Sequence, residues 1–179
     1  MTNKIAFGIF FLLVMACTPV FAGTIIVSPV QSSILFRINH DLGYTVGYFK
    51  NFTATLEVND DQTQVLSSKI QVQTASINTR NSIRDEGLKS ALFLDTEKFV
   101  QATFESTKIE GDQMSGVLTI KEIAKPMTFK IQQDSAKKKI FLKGTFNRND
   151  YGIKFNHLMA NKKKSIGDTV ELMIELNAQ

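Results

Sequence analysis

Tryptophan is absent from this chain of 179 residues, cysteine occurs once and histidine twice. A single thiol, Cys17, rules out a disulfide framework, and two histidines without a second cysteine rule out the usual structural zinc patterns. No metal or other cofactor is expected. Charge of one sign is also scarce: 21 Lys and Arg stand against 17 Asp and Glu, a net charge of +4. The excess comes largely from two lysine triplets, Lys137 to Lys139 and Lys162 to Lys164. A basic character so small and so local gives no reason to expect nucleic acid. Catalytic arrangements are missing too. The sequence holds no Gly-x-Ser-x-Gly elbow, no phosphate-binding Gly-rich loop and no His-Glu-x-x-His. The chain is therefore predicted not to be an enzyme.

What is present is apolar. Hydrophobic residues make up 43% of the chain, with 14 Phe, against 21% charged. That composition forms a core rather than a disordered chain, and the length suits one domain. Residues 1–22 read as a signal peptide: Lys4 is the positive start, Ile5 to Ala16 is uncharged and apolar, and Val20-Phe21-Ala22 offers small residues at a cleavage site. The apolar run is too short to span a bilayer. Export to the periplasm or beyond, with cleavage near Ala22, is expected, leaving 23–179 as the mature domain. Val14-Met15-Ala16-Cys17 loosely resembles a lipobox, which would instead anchor the chain through Cys17; Met15 fits that pattern poorly.

Within 23–179 the dominant period is two, the mark of strands with one buried face. Ile34, Phe36, Ile38 and His40 alternate with polar or outward positions, and the pattern returns at Phe52 to Val58, Ile70 to Thr74 and Ala102 to Ser106. It continues at Met114 to Ile120, Met127 to Ile131, Ile140 to Phe146 and Val170 to Leu176, giving eight strands. Turn residues such as Asn59-Asp60-Asp61 and Glu110-Gly111-Asp112 fall between them, so neighbours should be antiparallel. Ser76 to Val100 breaks the alternation. There Ser82 and Asp85 resemble a capping box, and Ile83, Leu88, Ala91 and Leu92 recur at helical spacing. Eight half-buried strands need more cover than one short helix supplies, so an all-β closed barrel or two-sheet sandwich is predicted.

A set of motifs in order carries a resemblance. Ser33 to His40 (SILFRINH) is followed by Gly43, Gly47 and Phe49, then by Ala75-Ser76-Ile77-Asn78-Thr79, Arg84-Asp85 with Leu88-Lys89-Ser90, and Phe93. Further on stand Thr103-Phe104-Glu105-Ser106-Thr107, Gly116 to Ile120, Lys125-Pro126-Met127-Thr128, and Phe146-Asn147-Arg148 with Asp150-Tyr151-Gly152-Ile153. In this the chain resembles the YceI-like family of bacterial secreted lipid-binding proteins. It departs from the family pattern at Gly87, where a His is usual, and at Glu122 and Ala124, where Gly and Thr are common. The resemblance implies an eight-stranded antiparallel lipocalin-like barrel with one short helix in a long connection. It also implies a lumen holding a long apolar chain, a polyisoprenoid or fatty-acid derivative, for transport, storage or sequestration.

On that reading the inward faces line the lumen. The candidates are Phe36, Ile38, His40 and Phe52 on the early strands and Phe104, Leu118 and Phe129 in the middle. Leu142, Gly144, Phe146, Leu172 and Ile174 complete them at the end. Gly116 and Gly144 on the inner face favour an open lumen, whereas glycines that mark bends or bulges would leave it packed. Arg84, Asp85, Arg148 and Tyr151 are candidates for the mouth or a ligand head group. The loop from Asn149 to Gly167 is long enough to act as a lid, and its lysines suit transient contact with a membrane surface. Adjacent positions must face opposite sides, so Phe36 and Leu172 should point inward while Arg37 and Glu171 point outward. The alternative function is an exported structural or stress-related barrel with a packed lumen. Oligomeric state stays open, a dimer included.

Overall fold

A computed structural model describes residues 23–156 and 165–177. The signal segment with Cys17, and residues 157–164 with His157 and the second lysine triplet, lie outside the described residues. The strands are β1 (Gly23–Ile26), β2 (Ser33–His40), β3 (Gly43–Phe49), β4 (Phe52–Val58), β5 (Val65–Gln73) and β6 (Ile77–Asn78). After the helix α1 (Ser82–Lys89) come β7 (Gln101–Glu110), β8 (Gln113–Ile120), β9 (Ile123–Asp134), β10 (Lys139–Asn147) and β11 (Ile166–Asn177). All pair antiparallel in one sheet of order β1-β4-β5-β7-β8-β9-β10-β11-β2-β3-β6.

The expectation of eight strands needs correction: each predicted strand exists, and β1, β3 and β6 are added to them. β3 escapes a search for alternating apolar residues because its polarity is inverted. Its buried positions are Thr45 and Gly47, while Tyr44 and Val46 lie exposed on the outer face. The inward side must stay small there, since a Cβ on Gly47 would come within 2.3 Å of the Phe36 ring. β6 has two residues, too few to show a period.

Closure is likewise not by a barrel ladder. The strand order is open, with β1 and β6 at its ends. The sheet curls into a half-barrel whose flanks meet where Lys50 N donates to Ser76 O at 3.1 Å and Asn51 N donates to Ser76 Oγ at 3.1 Å. Inward side chains from β2, β3, β5 and β7 through β11 all reach one cavity wall, which a flat sheet would not permit. The predicted facing holds. Phe36 pairs with Leu172 on the inner face, and next to them Arg37 pairs with Glu171 on the outer one. Arg37 also lies 4.2 Å from the Tyr44 ring centroid.

The curl is filled at one end only. Leu56, Met114, Phe129, Leu142 and Leu176 are at most 1% exposed and close that end with side chains. α1 sits near the other end and differs from its prediction. Its N-cap is Asn81, whose side chain accepts from Arg84 N at 3.0 Å, and Ser82 is the first helical residue. The helix stops at Lys89, before Ala91 and Leu92, and Ile83 is 86% exposed. Only Leu88 of the expected apolar stripe reaches the interior, because α1 lies on the rim of the sheet rather than across it.

Candidate functional site

The unfilled part of the curl is a cavity of about 480 Å³, inside the range of roughly 300 to 1,000 Å³ usual for small-molecule sites. Its wall is mostly aliphatic and aromatic. Phe36, Ile38 and His40 reach it from β2, as do Phe104 from β7, Leu118 from β8 and Phe129 from β9. Phe146, Leu172 and Ile174 complete the predicted lining from β10 and β11. Phe104 meets Phe129 edge to face at 4.9 Å between centroids, which fixes the deep wall.

Three predicted lining residues are elsewhere. Phe52 and Leu142 are buried in the core, but neither reaches the wall: no residue of β4 does, and Leu142 belongs to the packed end. Gly144 is not on the wall either, because Met127 and Phe129 pack over it. A Cβ there would stand 2.6 Å from Met127 Cε and 2.9 Å from Phe129 Cδ1. Gly116 has the other role weighed for glycine. Its Cβ would meet the Glu105 carbonyl at 2.3 Å, and it pairs with Ser106 beside a register shift in β7. Neither glycine measures an open lumen. Gly87 does face open space: it lines the cavity, and a Cβ would meet nothing within 4 Å.

Residues the sequence did not nominate supply the mouth. Leu88, Phe93 and Leu94 come from α1 and the turns after it, and Ile153 and Phe155 from the start of the long loop. Phe93 and Phe155 meet edge to face at 5.1 Å. Leu88 is marked by helical spacing, but the others follow no period; the motif match at Leu88, Phe93 and Ile153 is the signal the sequence offers. The loop stems are pinned. Asn156 Nδ2 donates to Ile166 O at 2.6 Å, and Asn156 Oδ1 accepts from Ile166 N at 3.0 Å.

Of the four polar mouth candidates, Arg84 and Arg148 reach the wall, whereas Asp85 and Tyr151 do not. Arg84 donates from Nε to Thr79 Oγ1 at 2.8 Å, from Nη2 to Thr79 O at 3.0 Å and from Nη1 to Thr45 Oγ1 at 3.3 Å. Asp85 is a buried structural anchor behind it, accepting from Thr79 N at 2.8 Å and Thr79 Oγ1 at 2.6 Å. Arg148, 2% exposed, gathers loop carbonyls: it donates to Ile153 O at 2.6 Å, Phe155 O at 2.9 Å and Gly167 O at 2.8 Å, with Asp168 Oδ1 at 3.4 Å. Burial pushes the Arg148 pKa down and Asp168 opposes that push. With its donors so engaged, Arg148 shapes the mouth rather than offering a head-group contact. Tyr151 is 2% exposed and packs edge to face on Phe146 at 5.2 Å. Burial, then Asp150, raises its phenol to about 12.

His40 closes the polar side of the mouth. Its Nε2 lies 3.2 Å from Thr45 Oγ1, and its Nδ1 accepts from Leu42 N at 3.3 Å. Among the described residues, no three His, Cys, Asp or Glu side chains gather where they could hold a metal. The arrangement can enclose an apolar chain and meet a polar end at the rim.

Comparison with known proteins gives a concordant result. The family model described as a YceI-like domain matches residues 26–178. A UPF0312 protein of Staphylococcus aureus strain N315 is 31% identical over 151 residues, covering 79% of this chain and 88% of its own. Burkholderia cenocepacia BcnA shares the fold with a TM-score of 0.70 at 19% identity, over 84% of this chain and 98% of that one. A domain from Saccharophagus degradans described as polyisoprenoid binding aligns with a TM-score of 0.59 at 13% identity, over 87% of this chain and 98% of its own.

Proposed function

The chain belongs to the YceI-like domain family, and from that premise we propose that it binds the hydrocarbon chain of a lipid, a polyisoprenoid or fatty-acid derivative, in the cavity of its curled sheet. The observation that carries this reading is the cavity itself: about 480 Å³ left open between phenylalanine and aliphatic walls while the opposite end of the same curl is packed. A water-filled space with such walls is costly, and each methylene moved into it from water contributes roughly 0.8 kcal/mol. The polyisoprenoid-binding description of the Saccharophagus domain supports the choice of ligand class. A packed, structural barrel is the reading this void disfavours.

The protein acts by holding its ligand rather than by converting it, after export by its signal segment into the periplasm or beyond. A membrane is the natural source of so insoluble a ligand. Leu42, Ile83 and Leu92 are 89%, 86% and 58% exposed, and each adjoins a residue of the cavity wall, respectively Asp41, Arg84 and Phe93. An aliphatic rim around an apolar mouth suits transient contact with a bilayer surface. Native mass spectrometry of mature protein taken from its own compartment tests the reading. A bound lipid with a long hydrocarbon chain is expected, and protein consistently free of any, which also takes up none from vesicles, would overturn it.

A further inference from the structure

Thr45 points inward from β3, is 7% exposed and lies on the cavity wall beside His40 and Arg84. A threonine hydroxyl can accept two hydrogen bonds and donate one. Both acceptor places are taken. Because the Leu42 N–H donates to His40 Nδ1, that nitrogen carries the lone pair and the neutral ring's proton is on Nε2, which donates to Thr45 Oγ1 at 3.2 Å. Arg84 Nη1 donates to the same oxygen at 3.3 Å. The Thr45 proton is then left without an acceptor among the described residues.

Thr79, the other threonine on Arg84, shows what a completed hydroxyl looks like here. Its Oγ1 accepts from Arg84 Nε at 2.8 Å and donates to Asp85 Oδ1 at 2.6 Å. Thr45 has no such carboxylate behind it. Arg84 is also incompletely used: three of the five guanidinium N–H groups are engaged, and none of its partners among the described residues is a carboxylate. Asp41 is on the same wall, but its approach is to His40 Nδ1 at 3.9 Å, not to Thr45 or Arg84. For Thr45, 7% exposed, an unmet donor is a cost that a bound acceptor removes; Arg84 is exposed, and a bound acceptor would take the place of water on its free N–H groups.

We infer that the polar end of the ligand is an anionic acceptor, a carboxylate or phosphate whose oxygens take the Thr45 hydroxyl proton and the free N–H groups of Arg84. This rests on the cavity reading above and adds the chemistry of the ligand's head. A head that only donates, such as an ammonium, can meet Asp41 on this wall but leaves the Thr45 proton and the free N–H groups of Arg84 unanswered.

The experiment uses the mature protein and three probes with the same alkyl chain: hexadecanoate, hexadecyl phosphate and hexadecylamine. Both anions are expected to bind at least about tenfold tighter than the amine, and whichever anion binds better distinguishes carboxylate from phosphate. Thr45→Val, which keeps the shape and removes the hydroxyl, should cut anion affinity about tenfold and leave the amine unchanged, whereas Thr45→Ser should retain the preference. Arg84→Met should reduce the same preference and serves if Thr45→Val does not fold. Equal binding of all three probes by the unaltered protein would overturn the inference while leaving the cavity reading standing. Binding of none would remove the cavity reading and the inference with it. A Thr45→Val protein with its anion preference intact would overturn the role given to Thr45.

Discussion

Burial of Tyr151 beneath Phe146 ties a single phenol to the alkaline limit of the fold. Its pKa is about 12 in the folded protein, against roughly 10 when unfolded. A raised pKa means that the neutral form is favoured by folding. The stabilisation is complete below the unfolded value and is lost as pH climbs from about 10 to about 12. Tyr151→Phe keeps the ring contact and removes the ionisation. Chemical unfolding across that window should show the unaltered protein losing stability relative to the variant, and parallel curves would contradict the assignment. Residue-scale legibility was uneven for a related reason. Parity along a strand gave the correct side for Phe36, Leu172 and Arg37, but parity has no depth. It could not tell that Leu142 lies in the packed end, that Met127 and Phe129 close over Gly144, or that Tyr151 is sealed beneath a ring instead of lining the mouth.

At the scale of elements, the turn between β8 and β9 stores strain. Lys121 and Glu122 connect the paired residues Ile120 and Ile123, and both have positive φ, 51° and 61°. Two-residue hairpins of this kind favour Asn and Gly, since a side chain in the left-handed region costs about 1 to 2 kcal/mol. Glu122 should therefore respond to Glu122→Gly by gaining about 1 kcal/mol of stability. A fall in the denaturation midpoint would show that the Glu122 side chain contributes more than its backbone loses. Lys121 should stay, because its Nζ donates to Phe93 O at 2.9 Å and ties this turn to the cavity mouth. Elements with a regular buried face were legible: β2, β4, β5 and β7 through β11 all announced themselves by period two. β3 did not, because a strand whose inner side must admit the Phe36 ring carries Gly47 there and places its tyrosines outside. The capping-box reading of Ser82 failed by one residue, since Asn81 before it is the stronger cap and takes the Arg84 amide.

At the scale of the whole molecule, one curled sheet does two jobs. One end is closed by Leu56, Met114, Leu142 and Leu176, which holds the strands in register. The other is left open beneath α1 and the loop stems, at the expense of the packing a full core would have gained. The antiparallel, all-β architecture was legible from composition and period, and the family match narrowed its function. The open ends of the strand order and the division into packed and open halves were not, since each depends on how far apart the walls stand rather than on which residues face inward; among the described residues, the strands beyond the predicted eight escape for local reasons, β3 through its inverted polarity and β6 through its length.

A series of saturated carboxylates of increasing length, titrated calorimetrically into the mature protein, tests the claim that the open half of the curl holds a hydrocarbon chain. Each added methylene should tighten binding by about fourfold, the equivalent of roughly 0.8 kcal/mol, until the cavity is full. Ala102→Phe, which places a ring on the cavity wall, should make that rise stop at a shorter chain. Affinity independent of chain length, or unaltered by Ala102→Phe in a protein that remains folded, would contradict the claim.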